Sequence, residues 1–490
     1  MTLLARYAAV LVFATATVLV LALALFLRAH GYTAAGELDL WGRTLLVNAG
    51  VMPFEVAATA FPPLPQIAAV GANWLVPDLG PPVLSIVVAM LAAWLVTSWF
   101  VMLRNAKFGI VVSLAATTLL AFNPLFLRAA SEGSGFVLLN LGIWLLALGL
   151  FNLRQFYRVN DMMLVSVALV VLSFSHPFGA VVAVVSIPFL ALSVPPDLLE
   201  KSPSGVYLVL LFPLVFAILS FIFVNWILTG DALHFLARSE TSTAFMSDRN
   251  GVVFPSNMLI VAAVAATGFF GVAPIAIFMG VRTWTLRPLL LAIGGLFATL
   301  VSAIVYAALL GVVPPLALAI GPAVVIAAAC AVHWPRSHDG QRAIILWLAV
   351  GLFGGTAILI GDTSLQTRQW RSAAFGRETA PIDQEQVLLA GILAGRKGVL
   401  LDAQAAPALI AMRGSADGLL SPDAFPFRMS ALRREMNWPI VVVRSKMSPH
   451  GSDRVGRAFP ELFDDGAPGY RKIFDGSTWR AYQAIGGNRS

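Results

Sequence analysis

The feature that most restricts this chain is its succession of apolar runs, each close to the length that a helix needs to cross a bilayer. About 20 apolar residues in an α-helix cover the ~30 Å hydrocarbon core. The sequence carries eleven such segments, at about 7–28, 82–103, 108–123, 135–153, 162–175, 179–195, 205–228, 257–281, 288–310, 315–333 and 342–361. Two of them, 162–175 and 179–195, are short and are expected to tilt or break around "SHPFG". Only 12% of the 490 residues are charged, about half the share of a soluble domain. The first segment is too long, and too well followed by others, for a cleaved signal peptide. The expected fold class is therefore a polytopic α-helical membrane protein of about 11 transmembrane helices.

The charges between the segments set a topology. Counted from an inside N-terminus, Arg6, Arg104, Lys107, Arg154, Arg158, Lys201, Arg282, Arg287, Arg336 and Arg342 fall on the cytoplasmic side. Arg43, Arg128, Arg238 and Arg249 fall on the other side, among Glu37, Asp39, Glu55, Asp78, Glu132, Asp231, Glu240 and Asp248. The bias follows the positive-inside rule. It predicts an odd number of spans, an N-terminus inside and a C-terminus outside. The formal charge of +7 is thus a topological signal rather than a nucleic-acid one. An Ala/Leu/Val/Gly-rich composition with one cysteine, Cys330, excludes an intrachain disulfide. It suits a bacterial inner membrane, with the C-terminal part in the periplasm.

Residues 1–361 are read as the membrane domain and 362–490 as a small soluble α/β domain. In the latter, "GVLLDA" (398–403) and "PIVVVR" (439–444) read as strands, with the helix "APALIAMRG" between them. "YRKIFDGSTWRAYQAI" reads as a hairpin turning at "DGS". The outer loop 29–81 is the largest departure from apolar sequence before residue 362. Its stretch 63–80 is expected as an interfacial helix with Trp74 at headgroup depth, or else as a short re-entrant hairpin.

That loop holds the strongest candidates for chemistry, in "GELDLWGRTLLVNAGVMPFEVAATAFPPLP". Glu37 and Asp39 stand directly after the first span, where a carboxylate is costly unless solvated or paired. In an extended segment both would share a face. In a helix they would point about 200° apart and could not both face one pocket. Arg43 is near enough to pair. The acids serve as a general base or as ligands for a hydroxyl-bearing acceptor or a metal, or they are solvated loop acids. A divalent cation is compatible with the pair, but no cofactor is required by it. "AFPPLP" is a rigid element, since consecutive prolines fix φ.

The run "GELDLW…NAGVMPFE…FPPLP" resembles the first outer loop of the GT-C superfamily of polyprenyl-phosphate-dependent glycosyltransferases. There an acidic motif after the first span precedes a Tyr-Pro-Pro-Leu element; here Phe61-Pro62-Pro63-Leu64 occupies that place. "FNPLFLRAASEGSGFVLLNLGIWLLALGL" (122–150) is similar to the connection between the third and fourth spans, and "NWILTGDALHFL" (225–236) to a span end followed by an outer loop. The acidic motif departs from some relatives, reading Glu-x-Asp rather than adjacent Asp-Glu. The resemblance implies a GT-C-like fold and an inverting transfer of a sugar from a polyprenyl-phosphate donor. The acceptor is a hydroxyl of a glycan, lipid or protein. It implies Glu37 as the base with Asp39 as its partner. Independently, such chemistry needs cationic or amide groups for the departing phosphate. Arg43, Arg128, Arg238, Arg249 and His234 are the candidates, each with snorkelling at the headgroups as its plain alternative.

Asp231, His176 and Trp41 are candidate acceptor-binding or supporting residues. Asp231 also reads as an N-cap, and His176 as a hydrogen-bonded residue at the helix break before Pro177. Glu132 reads as an ion-pair partner of Arg128, four residues earlier. No zinc spacing, phosphate loop or Ser/His/Asp arrangement is present. The competing expectation is a catalytically inactive accessory subunit of an envelope complex. A transporter is disfavoured because the spans are nearly free of ionisable residues and show no internal repeat.

Overall fold

Prolines punctuate the helices of this chain. A proline at the first helical position costs no hydrogen bond and is already set at the helical φ. Pro63, Pro82, Pro124, Pro177, Pro203, Pro322 and Pro407 each open a helix in this way. A computed structural model of the protein describes residues 3–53, 55, 58–156, 158–194, 196–233, 235, 257–282, 287–311, 313–380, 383–448 and 451–485.

The chain begins with α1 (Leu3–Ala29), α2 (Ala35–Asn48) and α3 (Pro63–Leu75). It continues through α4 (Pro82–Asn105), α5 (Ile110–Ala121), α6 (Pro124–Glu132), α7 (Ser134–Phe156), α8 (Val159–Ser175), α9 (Pro177–Ser193), α10 (Pro196–Lys201) and α11 (Pro203–Thr229). After residues outside the described set come α12 (Met258–Val272), α13 (Pro274–Arg282), α14 (Arg287–Leu310), α15 (Leu316–Ile320), α16 (Pro322–Val332) and α17 (His338–Gly361). Among the described residues, 6 helices are long and apolar enough to span a membrane, and α5 with α6 forms a bent pair at 59° that would make 7. Four shorter apolar stretches complete the set: Val159–Ser175, Pro177–Ser193, Met258–Val272 and Leu316–Val332. Each expected segment thus falls on helix. The protein is a multi-span helical membrane protein.

The bundle is built around α7, whose apolar window is 89% buried against 11% for α1 and 17% for α11. Gly142 and Gly149 let α8 approach it closely, since a Cβ there would lie 2.8 Å from Leu172 and 2.7 Å from Val165. Small residues at a membrane helix contact act in this way because van der Waals packing, not water exclusion, holds the pair. Its own Trp144 and Phe151 fill the interior with Trp99 of α4 and Phe126 of α6. The outer helices instead present Leu208, Phe212, Phe216 and Phe223 outward, as a surface solvated by lipid requires.

Of the alternatives left open for the acidic stretch after α1, the structure has the helix, α2. One expectation about the loops is corrected. Residues 124–133, expected as a connection, form α6 after a bend capped by Asn123, whose side chain accepts from the Leu125 amide at 3.1 Å. The stretch 63–80 is helical as expected, α3 being followed by a 3-10 turn at Pro77–Leu79, with Trp74 exposed.

The remaining elements are α18 (Leu365–Ala374), α19 (Gln384–Leu393), β1 (Val399–Leu400), α20 (Pro407–Arg413), β2 (Leu419–Leu420), α21 (Phe425–Arg433), β3 (Ile440–Arg444), α22 (Arg454–Ala458), β4 (Tyr470–Asp475) and β5 (Trp479–Ala484). They make a 5-stranded mixed sheet of order β2-β1-β3-β5-β4. β2, β1 and β3 are parallel; β5 runs antiparallel to β3 and β4. Both strands and the hairpin expected from sequence are present, and β2 is additional. Strand alternation sends Ile440 and Val442 to one core and Val441 and Val443 to another. The first of these cores also contains Leu46 and Met52. The C-terminal region therefore builds part of its interior on the back of α2.

The junction is tied at several points. Asp362 is 1% exposed and accepts from the amides of Ala317 at 2.9 Å and Ser364 at 3.0 Å, and from the Thr367 hydroxyl at 3.0 Å. Trp370 donates to the Ser131 hydroxyl at 2.5 Å, and the Thr379 amide donates to the His30 carbonyl at 3.0 Å. The latter bond holds the turn between α1 and α2.

Candidate functional site

A partly open cavity, about 870 Å³ with its solvent-filled mouth included, lies where several helices begin. α2 contributes Gly36, Glu37, Asp39, Leu40 and Arg43; Phe61, Pro62, Pro65 and Gln66 come from the turn into α3. Leu84 and Val88 of α4 supply an apolar wall. The break between α6 and α7 brings Glu132 to Phe136, and the break between α8 and α9 brings Ser175 to Pro177. Pro314, Pro315 and Leu318 complete the lining at the start of α15.

Both acids line this one cavity although they sit on a helix. At about 100° per residue, Gly36, Leu40 and Arg43 form a central stripe, and Glu37 and Asp39 flank it on opposite sides. The cavity spans the shorter arc between them, which is about 160°. The expectation that a helix would exclude one acid was wrong because a concave wall wraps that far round α2.

The acids are not partners of one another. Glu37 Oε1 accepts from Arg28 Nη2 at 2.8 Å and from Ser85 Oγ at 2.9 Å. Asp39 Oδ2 pairs with Arg43 Nε at 2.8 Å, one helical turn on. Asp39 is 7% exposed, and the Glu37 side chain 14%, so neither is a solvated loop acid. Burial pushes the Glu37 carboxyl above its ordinary value of 4.5, with Arg28 and Ser85 pulling the other way. Burial likewise raises Asp39 against the pull of Arg43. Among the described residues, no hydrogen bond reaches Glu37 Oε2. One oxygen is thus anchored and the other is left on a carboxylate of raised proton affinity. Such a group can take a proton from a hydroxyl in the cavity.

A third acid, Glu132, pairs with Arg128 and accepts from the Tyr32 hydroxyl at 3.0 Å. The Arg128 guanidinium also lies over the Tyr32 ring at 5.6 Å. Arg128 is fully buried behind the cavity wall and is not a lining residue. It does not face the cavity as a phosphate ligand must. The expected i,i+4 ion pair is the role that its position gives it.

His176 lines the cavity and caps α9, its Nδ1 accepting from the Phe178 amide at 3.1 Å. Its ring lies 4.2 Å from that of Phe136. The reading as a hydrogen-bonded residue at a helix break therefore holds. Trp41 points away from the cavity, into a small core with Ala69, Val83, Leu84 and Ala411. Asp231 is exposed and accepts from the Leu233 amide at 3.0 Å, and it is not among the lining residues. His234, Arg238 and Arg249 lie outside the described residues.

Arg28, Ser85, Tyr32 and Gln66 were not singled out from sequence. Arg28 ends an apolar span and reads there as a snorkelling residue, and the other three are unremarkable in composition. A signal did exist for Arg28, a cation nine residues before an acid across a Gly-containing turn, but it is weak. Among the described residues no group of three or more His, Cys, Asp or Glu side chains is gathered to hold a metal ion. No family model matches the chain, and no curated protein matches it in sequence.

Proposed function

We propose that the protein is an inverting, GT-C-like glycosyltransferase that uses a polyprenyl-phosphate sugar as donor and a hydroxyl of a glycan, lipid or protein as acceptor. The observation that carries this reading is Glu37: a cavity-lining carboxylate, held by Arg28 and Ser85 through one oxygen, with the other free of partners among the described residues. In the proposed reaction Glu37 Oε2 takes the acceptor proton as the acceptor oxygen bonds to the sugar's anomeric carbon. The bond from that carbon to the phosphate oxygen breaks, and the lipid phosphate leaves with the electron pair. Displacement in one step inverts the anomeric centre. Asp39 and Arg43 hold one another and shape the adjacent wall.

The resemblance of "GELDLW…FPPLP" to GT-C outer loops supports the assignment, as does the meeting of Glu37, Phe61 and Pro62 in one cavity. Within this reading the eleven helical segments are eleven spans, the N-terminus is cytoplasmic, and the cavity and the C-terminal region face the periplasm of a bacterial inner membrane. The envelope is then the source of acceptors and of any partner subunits.

The test is reconstitution of the full chain in proteoliposomes with a polyprenyl-phosphate hexose and a panel of hydroxyl acceptors, measuring released polyprenyl phosphate. Glu37→Gln is expected to cut the rate by about 10²–10⁴, the usual contribution of a general base. Wild-type rates in both Glu37→Gln and Asp39→Asn would remove the assignment.

A further inference from the structure

The carboxylates of the cavity are matched by guanidinium groups: Glu37 with Arg28, Asp39 with Arg43, and Glu132 with Arg128. Among the cavity-lining elements, a set of hydrogen-bond donors at the start of α7 remains unmatched. The amides of Ser134, Gly135 and Phe136 have no acceptor among the described residues; the first bond of this turn is a long one of 3.5 Å from Val137 to the Gly133 carbonyl. The other helix starts at the cavity differ. α2 opens with Glu37 and Leu38 bonded to the Ala34 carbonyl. α9 is capped by His176, α15 by Asp362, and α3 begins with prolines at 63 and 65.

Two buried side chains sharpen the point. Among the described residues, Ser134 Oγ and Gln66 Nε2 have no hydrogen-bond partner; their residues are 4% and 5% exposed, and both line the cavity. A buried donor left unsatisfied is costly, so a ligand that accepts from them is favoured. Gly133 holds the approach open. Its φ of +126° is closed to other residues, and a Cβ there would meet nothing within 4 Å.

We infer that the start of α7, with Ser134 and Gln66, is the seat of a phosphate group. Three amides, a hydroxyl and a carboxamide nitrogen are all donors, and they ask for a ligand with several acceptor oxygens at one centre. A helix start favours negative charge through its free amides and its dipole. Burial of α7 along its length keeps that field from being screened by water. In the transferase reading, on which the choice of ligand rests, this is where the departing lipid phosphate sits. Of the arginines suggested by sequence, Arg43 and Arg128 are held by Asp39 and Glu132, and the seat is built from other donors.

The experiment is equilibrium binding to the purified full chain in nanodiscs, by calorimetry, with farnesyl phosphate, inorganic phosphate and farnesol as probes. Farnesyl phosphate is expected to bind and farnesol not to compete with it. Binding of inorganic phosphate as tight as the farnesyl ester would mark a free anion as the occupant, and weaker binding a lipid headgroup; either result keeps the seat. Ser134→Asp should lower farnesyl phosphate affinity by at least about tenfold, because the new carboxylate takes the amides while still favouring the helix start. Gln66→Leu, on a different helix, should lower affinity in the same direction and guards against misfolding of the first variant. Unchanged affinity in both Ser134→Asp and Gln66→Leu, or equal competition by farnesol, overturns the seat. Loss of binding in Arg43→Met alone would move the phosphate to arginine and leave the transferase reading intact. Loss in Ser134→Asp without any transfer by the parent would do the reverse.

Discussion

A carboxylate in an apolar wall has to be neutralised or held, and Glu37 is held on one side only. Arg28 lowers its proton affinity and burial raises it, with burial the larger influence. A base works only when deprotonated, so activity is present above its folded pKa and is lost as pH falls through it. That acid limb should lie above the ordinary 4.5. Arg28→Met removes a compensating charge and should move the limb further up by about one unit or more, with the alkaline side unchanged. A pH–rate profile checks this, and an unmoved limb would mean that Arg28 does not tune Glu37. The acids were legible in the sequence because charge is so rare around them. Their partners were not. Arg28 is nine residues from Glu37, Ser85 is 48 and, at the neighbouring pair, Tyr32 and Glu132 are 100 apart. No local spacing encodes such contacts. The exception proves the rule: Arg128 and Glu132, and Asp39 and Arg43, are i,i+4 pairs and could be read directly.

Among the elements, α2 has two occupations. One side lines the cavity, and the other meets α20, where a Cβ on Gly42 would fall 1.8 Å from the Pro407 carbonyl oxygen. Backbone cannot yield as a flexible side chain can, so Gly42→Ala has to push the C-terminal region off α2. The expected cost is about 1–3 kcal/mol, as for other overpacked contacts. Hydrogen exchange should rise across 407–413 and along α2, and exchange unchanged there would show that the contact carries no docking energy. Lost transfer with retained folding would show in addition that docking positions Glu37. The broken helices were only partly legible. The break at His176-Pro177 stood out because both flanking runs were short. The bend at Asn123 did not, because the apolar run closes there and the more polar residues after it read as a connection, whereas the helix continues at an angle. In the C-terminal region β-branched runs gave away β1, β3 and the hairpin. The two-residue β2 has too little sequence to declare itself and forms because β1 offers it a parallel edge.

On the scale of the whole molecule, a central α7 is ringed by helices with apolar outer faces, and an α/β region is fixed to one end through α2, Asp362 and Trp370. The charge asymmetry of the loops predicts which side that end faces. Cys330 is the sole cysteine and is buried, so the natural chain supplies a silent background for labelling. In intact cells a membrane-impermeant maleimide should modify Ala394→Cys and spare Asn105→Cys, both at exposed positions. The opposite pattern would invert the topology and put the cavity on the cytoplasmic side. The central claim, that this cavity receives a lipid-linked phosphate beside Glu37, is tested most directly by a cryo-EM structure of the full chain in nanodiscs with a polyprenyl phosphate bound. The account predicts phosphate density between Glu37 and the first turn of α7, with the isoprenoid leaving along the Leu84 and Val88 wall. Density for the lipid phosphate elsewhere, with this cavity unchanged, would contradict it.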